Sequence, residues 1–178
     1  PNALRFTWDG LDNLSPGACT GNVCPVTLAD FSGEAWIQHD DTSIYVAIRV
    51  TDDVQTPNNT DVWQSDSAEL YVDSNNSNSN PKENGSLGFQ ATTTGDGLRY
   101  AGNDAPPGGT YWNCTAKIKD ATHYEFEYVI SKAGIGLADG GVAGFDVAYN
   151  DADGGQRDHQ PWWWSTTGDA WNDERPWG

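Results

Sequence analysis

Two tryptophans stand where a folded chain has no use for them. Trp63 lies in the run Asn58-Asn-Thr-Asp-Val-Trp-Gln-Ser-Asp66, and Trp171 in Gly168-Asp-Ala-Trp-Asn-Asp-Glu174. Both runs are polar, and neither carries an apolar period that would bury an indole. Exposed rings on loops suit sugar recognition. The axial C–H face of a pyranose packs flat on an indole, while its rim hydroxyls want carboxylates and amides. The competing reading folds each ring back as a lid over the core. Glu69 is the carboxylate nearest to Trp63 on a strand-like run, opposite Ala68, Leu70 and Val72. Its plain reading is a solvated strand-face acid. If that face is a ligand cleft instead, Glu69 accepts hydrogen bonds from two adjacent hydroxyls.

A second chemistry lies in the aspartates. Asp52-Asp53, Asp61 with Asp66, and Asp151-Ala-Asp153 fall at strand ends and in loops. Calcium takes about six to eight oxygens and draws them from such loops. No run matches the twelve-residue helical calcium loop, so the alternative is a set of solvated loop acids. The three histidines, His39, His123 and His159, are scattered and make no metal spacing with Cys114. Cys19 and Cys24 share one Gly/Pro-flanked loop. A short-loop disulfide there implies an oxidising compartment; free thiols are the other reading.

Charge narrows the partners. Nine basic residues against 26 acidic ones give a formal net charge of −17. That repels phosphate backbones and anionic membrane surfaces, so neither nucleic acid nor membrane is expected. No apolar run approaches the roughly 20 residues of a membrane helix. The chain opens on Pro1 with no leader and reads as mature or trimmed. A chain this acidic can supply a carboxylate pair for glycoside hydrolysis. It has no nucleophile elbow, phosphate loop or metalloprotease motif.

The elements that must position these residues are strands. Ile44, Val46, Ile48 and Val50 alternate with Tyr45, Ala47, Arg49 and Thr51, and Glu34–His39 reads as the hairpin partner across Asp40-Asp41-Thr42. Ser67–Asp73 alternates again. Leu87–Thr92 with Leu98–Ala101, and Trp112–Lys119 with His123–Ser131, read as two further hairpins. Phe145, Val147 and Tyr149 mark another strand. Lys132–Gly140 is the one stretch able to hold a helical turn. Trp8 and Trp36 sit at or near strand positions and read as core. If they lie on a strand, Trp162 and Trp164 share one face and Trp163 takes the other. Eight or more short strands with turn signals between them make the chain all-β, an antiparallel β-sandwich or jelly roll, in a single domain over 1–178.

The ordered set of these pieces resembles family 9 carbohydrate-binding modules, which are appended to secreted xylanases and related polysaccharide-degrading enzymes. It comprises Trp8-Asp9-Gly10, Ile44 to Asp53, Trp63 to Asp73, Gly144 to Asp153, Trp164 to Trp171 and the closing Trp177-Gly178. The resemblance implies a jelly roll with structural calcium and no catalysis. It implies a terminal sugar clamped between Trp63 and Trp171, with Glu69 as hydroxyl acceptor. A basic sugar-binding position falls on Gln90, and a polar one on Ala148. Calcium ligands fall on Asp9, Asp52, Asp53, Asp66 and Asp151. The implied partners are a polysaccharide of cellulose, β-glucan or xylan type and an attached glycoside hydrolase, outside the cell. The rivals are a structural or adhesive domain with the clamp lost and, further off, a small acidic glycosidase.

Overall fold

Side chains that alternate between large apolar and polar give a strand one face to bury, and this chain solves the burial with two facing sheets. The computed structural model describes residues 3–8, 28–57, 61–79, 86–93, 98–102, 111–153 and 155–164. Among them are nine strands: β1 (Leu4–Trp8), β2 (Phe31–His39), β3 (Ser43–Asp52), β4 (Ser67–Asp73), β5 (Ser86–Thr93), β6 (Leu98–Gly102), β7 (Trp112–Asp120), β8 (His123–Ser131) and β9 (Gly144–Asn150). One sheet has the order β1-β2-β3-β8-β7 and the other β6-β5-β4-β9, and every pairing is antiparallel. The fold is the all-β sandwich that the sequence predicts.

The core lies between the sheets. Ile44, Val46, Ile48 and Val50 of β3, with Tyr124, Phe126, Tyr128 and Ile130 of β8, meet Ala68, Leu70 and Val72 of β4 and Val147 and Tyr149 of β9. Phe31 stacks on Tyr149 across the gap, with ring centroids 5.2 Å apart. The buried phenol of Tyr128 donates to the Ala68 carbonyl at 2.9 Å, so its polar end is satisfied inside the core.

The turns are set by aspartates. Asp40 Oδ1 accepts the Thr42 and Ser43 amides, each at 2.8 Å, and Oδ2 accepts the Tyr45 hydroxyl at 2.9 Å. Those hydrogen bonds, the Thr42 amide foremost, hold the exposed Asp40 carboxyl well below the usual range. Asp120 repeats the device between β7 and β8, accepting the Thr122 amide at 2.9 Å.

Several sequence expectations need correction. β2 begins at Phe31, three residues before the run that the periodicity marks, because Phe31 pairs with Asp52 at the far end of β3. β1, whose pattern Leu-Arg-Phe-Thr-Trp is too short to stand out, adds an edge to the first sheet. Residues 132–140 form turns without a regular helix, as the glycines of that stretch lead one to expect. Trp36 is not core. Ala35 is buried against the second sheet and Ile37 packs on the same core, which turns Trp36 to the outer face. There it is half-buried, with the Arg49 guanidinium 5.8 Å from its ring centroid. The side chain of Trp8 lies outside the described residues.

This packing makes a testable contrast. Phe126→Ala should lose about 3–5 kcal/mol in urea unfolding. Trp36→Ala should lose clearly less, since it gives up a partly solvated face and a cation–π contact of about 0.5–1 kcal/mol. Equal losses would return Trp36 to the core.

Candidate functional site

The outer face of the second sheet is where polar side chains go underground. β4 is buried at every position, so its outward-facing Glu69 and Tyr71 are as enclosed as its inward-facing Leu70. Glu69 is 1% exposed, which overturns the reading of a solvated strand-face acid. The cover comes from residues 155–164. Pro161 and Trp163 hydrogen-bond to Tyr149 and Val147 of β9. That pairing lays Trp162 over Ala148 and Tyr71, its ring 5.0 Å from the tyrosine's. Trp163 faces the main core and Trp164 is 59% exposed, so Trp162 and Trp164 do not share a buried face.

Glu69 is satisfied by side chains. Its Oε1 accepts Asn150 Nδ2 at 2.6 Å, and its Oε2 accepts Gln160 Nε2 at 3.2 Å and the Tyr71 hydroxyl. Asn150 Oδ1 in turn accepts Arg157 Nη1 at 3.0 Å. The guanidinium of Arg157 lies 5.4 Å from the centroid of the Trp63 ring, and its backbone amide donates to Gln64 Oε1 at 2.9 Å. Burial pulls Arg157 below its ordinary pKa, opposed chiefly by the charge of Glu69. A continuous polar chain therefore runs from buried Glu69 to the surface at Trp63, which rides a short 3-10 helix (Val62–Gln64) and is 43% exposed. The guanidinium thus lies over one face of a partly exposed indole, and both are fixed from beneath.

The structure brings Trp63 and Glu69 into one site and adds Arg157, Asn150 and Gln160, which sequence reasoning missed. Only Asn150 carried a signal: by alternation it shares the face of Ala148, two residues along β9. The backbone of Gln90 on β5 pairs with that of Glu69, but its side chain lies outside the described residues. Trp171, Asp9, Cys19 and Cys24 lie outside them entirely. Cys114 is a buried free thiol, its pKa pushed up by burial to about 12.

At the adjoining end of the sandwich, strand register assembles an acidic cluster. Ser67 pairs with Asn150, so Asp66 and Asp151 are the next residues outward on β4 and β9. Asp52 arrives from the end of β3, in the other sheet, and accepts the Tyr149 hydroxyl at 3.2 Å. Carboxylate oxygens of Asp52, Asp66 and Asp151 lie within 4.8 Å of one another, all buried. Asp66 accepts the Tyr124 hydroxyl at 2.8 Å, the Ala152 amide at 2.9 Å and the Thr56 amide. Both oxygens of Asp151 are buried without a hydrogen-bond partner. Burial raises the pKa of all three acids, Asp151 to about 9, and the charge of Asp52 adds to the rise at Asp151. An all-oxygen donor set of this kind, with one carboxylate left unpartnered, can hold a hard divalent cation. Asp53 is not part of it; it joins Asp30 and Asp153 in a more exposed group.

A family model described as carbohydrate family 9 binding domain-like matches residues 7–178. The chain belongs to that family. Among curated proteins, this family 9 domain is similar to the exoglucanase XynX of Acetivibrio thermocellus, at 26% identity over 174 residues. The match covers 96% of the chain but only 15% of that much longer protein. Among solved structures, it resembles a family 9 carbohydrate-binding module from Caldicellulosiruptor kristjanssonii in complex with cellotriose, with a TM-score of 0.74, 19% identity and coverage of 93% of this chain and 78% of that one. A module from the same organism in complex with glucose gives a TM-score of 0.71 at 20% identity, covering 94% and 83%.

The buried polar chain of this family 9 domain predicts an asymmetry. Glu69→Ala removes the acceptor of the Gln160 amide and the Tyr71 hydroxyl, while the Asn150 amide keeps Ser67 Oγ at 2.8 Å, and should cost about 1–3 kcal/mol of stability. Trp63→Ala, at an exposed ring, should leave the melting curve close to the parent's. Thermal melts followed by circular dichroism check both; a larger loss for Trp63→Ala would make that ring structural.

Proposed function

We propose that this domain is a non-catalytic module that holds a sugar on Trp63, at the end of a cellulose, β-glucan or xylan chain, and keeps an attached glycoside hydrolase close to its polymer outside the cell. The observation that carries this reading is the exposed Trp63 ring fixed beside Arg157 at the surface end of a hydrogen-bonded chain rooted in Glu69. The related modules in complex with cellotriose and glucose support the substrate class. The stretch that matches XynX, a small part of that protein, supports a module carried by a larger enzyme. In this reading a pyranose stacks on Trp63, and Trp171 closes the other side. Arg157 supplies the basic hydrogen-bond donor to the sugar rim that the family resemblance assigns to Gln90. Glu69 orients the amides and guanidinium from beneath. No group in this arrangement has to break a bond; the gain is the effective concentration of the attached enzyme.

The burial of Glu69 favours a second reading. The cover made by Gln160 and Trp162 closes the acceptor, and the fold serves as a structural or adhesive domain with the clamp lost. Calorimetric titration with cellotriose and xylotriose separates the two. The first reading expects saturable binding that Trp63→Ala weakens by about 1–3 kcal/mol, taking base–aromatic stacking as the analogue. No binding by a folded parent supports the second.

We also propose that Asp52, Asp66 and Asp151 hold a structural calcium ion. What supports it is the orphaned, buried pair of oxygens on Asp151 beside two other buried carboxylates. A ligand bound only by the native state stabilises it, by about 2.7 kcal/mol at a hundredfold excess over its dissociation constant. Exchange into EDTA should therefore lower the melting temperature, and calcium should restore it. An identical curve with and without calcium, from a metal-free sample, would remove this assignment.

A further inference from the structure

His159 looks idle in the sequence, far from the other histidines and from any metal motif. In the fold it pairs as a β-bridge with Asp151: the Asp151 amide donates to the His159 carbonyl at 3.1 Å, and the His159 amide donates back at 3.2 Å. That pairing lays the imidazole alongside the Asp151 carboxylate. Asp30, one residue before β2, comes to the same place because Phe31 pairs with Asp52. One donor atom each from Asp30, Asp151 and His159 lies within 4.8 Å of the others.

Two of these residues carry buried polar atoms that no other group satisfies. His159 is 5% exposed and Asp151 1% exposed. Nδ1 of His159 and both carboxylate oxygens of Asp151 are buried without a hydrogen-bond partner. Buried polar atoms are hydrogen-bonded in nearly all native structures, so orphaned atoms on two residues that meet in one cluster ask for a ligand. A single cation in the Asp52–Asp66–Asp151 cluster accounts for one side of Asp151 and leaves the imidazole unexplained. A hard calcium ion takes oxygens and gains little from a ring nitrogen. A mixed set of one imidazole and two carboxylates suits zinc and its neighbours.

We infer that Asp30, Asp151 and His159 form a second cation site, for a divalent transition ion of the zinc class, sharing the Asp151 carboxylate with the calcium cluster. The proposal rests in part on the calcium reading, because Asp151 bridges the two. The paired cations clamp the end of β9 and the start of β2, which belong to opposite sheets. Three protein ligands leave the remaining positions to water or to an outside group.

The full chain tests it. A His39→Gln/His123→Gln background removes the other two imidazoles. The protein is stripped with EDTA, returned to saturating calcium and titrated with zinc by calorimetry, with bound metals counted by mass spectrometry. One zinc equivalent should bind on top of the calcium. His159→Gln and Asp30→Asn should each weaken zinc by more than the roughly 10–100-fold that loss of an outer-shell partner costs, with calcium content unchanged. Cobalt in place of zinc should give visible ligand-field bands that change in His159→Gln. Asp30 is only partly buried, so Asp30→Asn carries the test if His159→Gln does not fold. Zinc that displaces calcium mole for mole, or that binds His159→Gln as it binds the parent, overturns the second site. A parent that holds zinc but no calcium overturns the calcium reading instead.

Discussion

Asp52, Asp66 and Asp151 bring three carboxylates into one buried pocket, and the hydrogen bonds around them serve only two of the three. The three acids come from both sheets, so the cluster joins the layers at one end just as the Phe31–Tyr149 stack joins them in the core. Neighbouring hydrogen bonds are spent on holding the acids in place: Tyr149 and Val54 on Asp52, and Tyr124, Thr56 and Ala152 on Asp66. Asp151 receives none. Repulsion among like charges in a buried site costs far more than at a surface. A cation held there, as proposed, would offset that repulsion and fasten this end of the sandwich.

The same strand that delivers Asp66 carries Glu69 three residues later. β4 therefore ties the acidic end to the outer polar face. That face is a second, smaller interior: Tyr71, Ala148 and Trp162 are packed together, and Glu69 is held among amides. Its purpose is rigidity at a distance. Arg157, fixed through Asn150, sits against Trp63, so an exposed indole on a polar loop is held by a chain that begins in the sheet. An indole ordered before binding loses less freedom when a ligand arrives.

The strands were legible because burial on one face writes a period of two into residues such as Ile44 to Val50 and Tyr124 to Ile130. The aspartate turns were legible from composition, since a short carboxylate reaches its own neighbours' amides. What the periodicity could not report is who covers a face. Glu69 looked solvated because Gln160 and Trp162 arrive from about ninety residues later, and Trp36 looked buried because a large ring on a strand usually is. Asp52, Asp66 and Asp151 could be suspected as acids at strand ends, but their meeting depends on register and on the facing of two sheets. Arg157 and His159 lie in a loop whose composition signals only a loop. They acquire partners through pairing with β9, which no local pattern announces.

We propose that a sugar is held at the surface end of the Glu69–Asn150–Arg157 chain, at Trp63. A crystal structure of the domain grown with calcium and cellotriose tests it most directly. The account predicts a pyranose lying flat on the Trp63 indole, with a rim hydroxyl within hydrogen-bond reach of Arg157. A sugar bound elsewhere, for instance on the exposed Trp164, with the Trp63 face unoccupied, would contradict it.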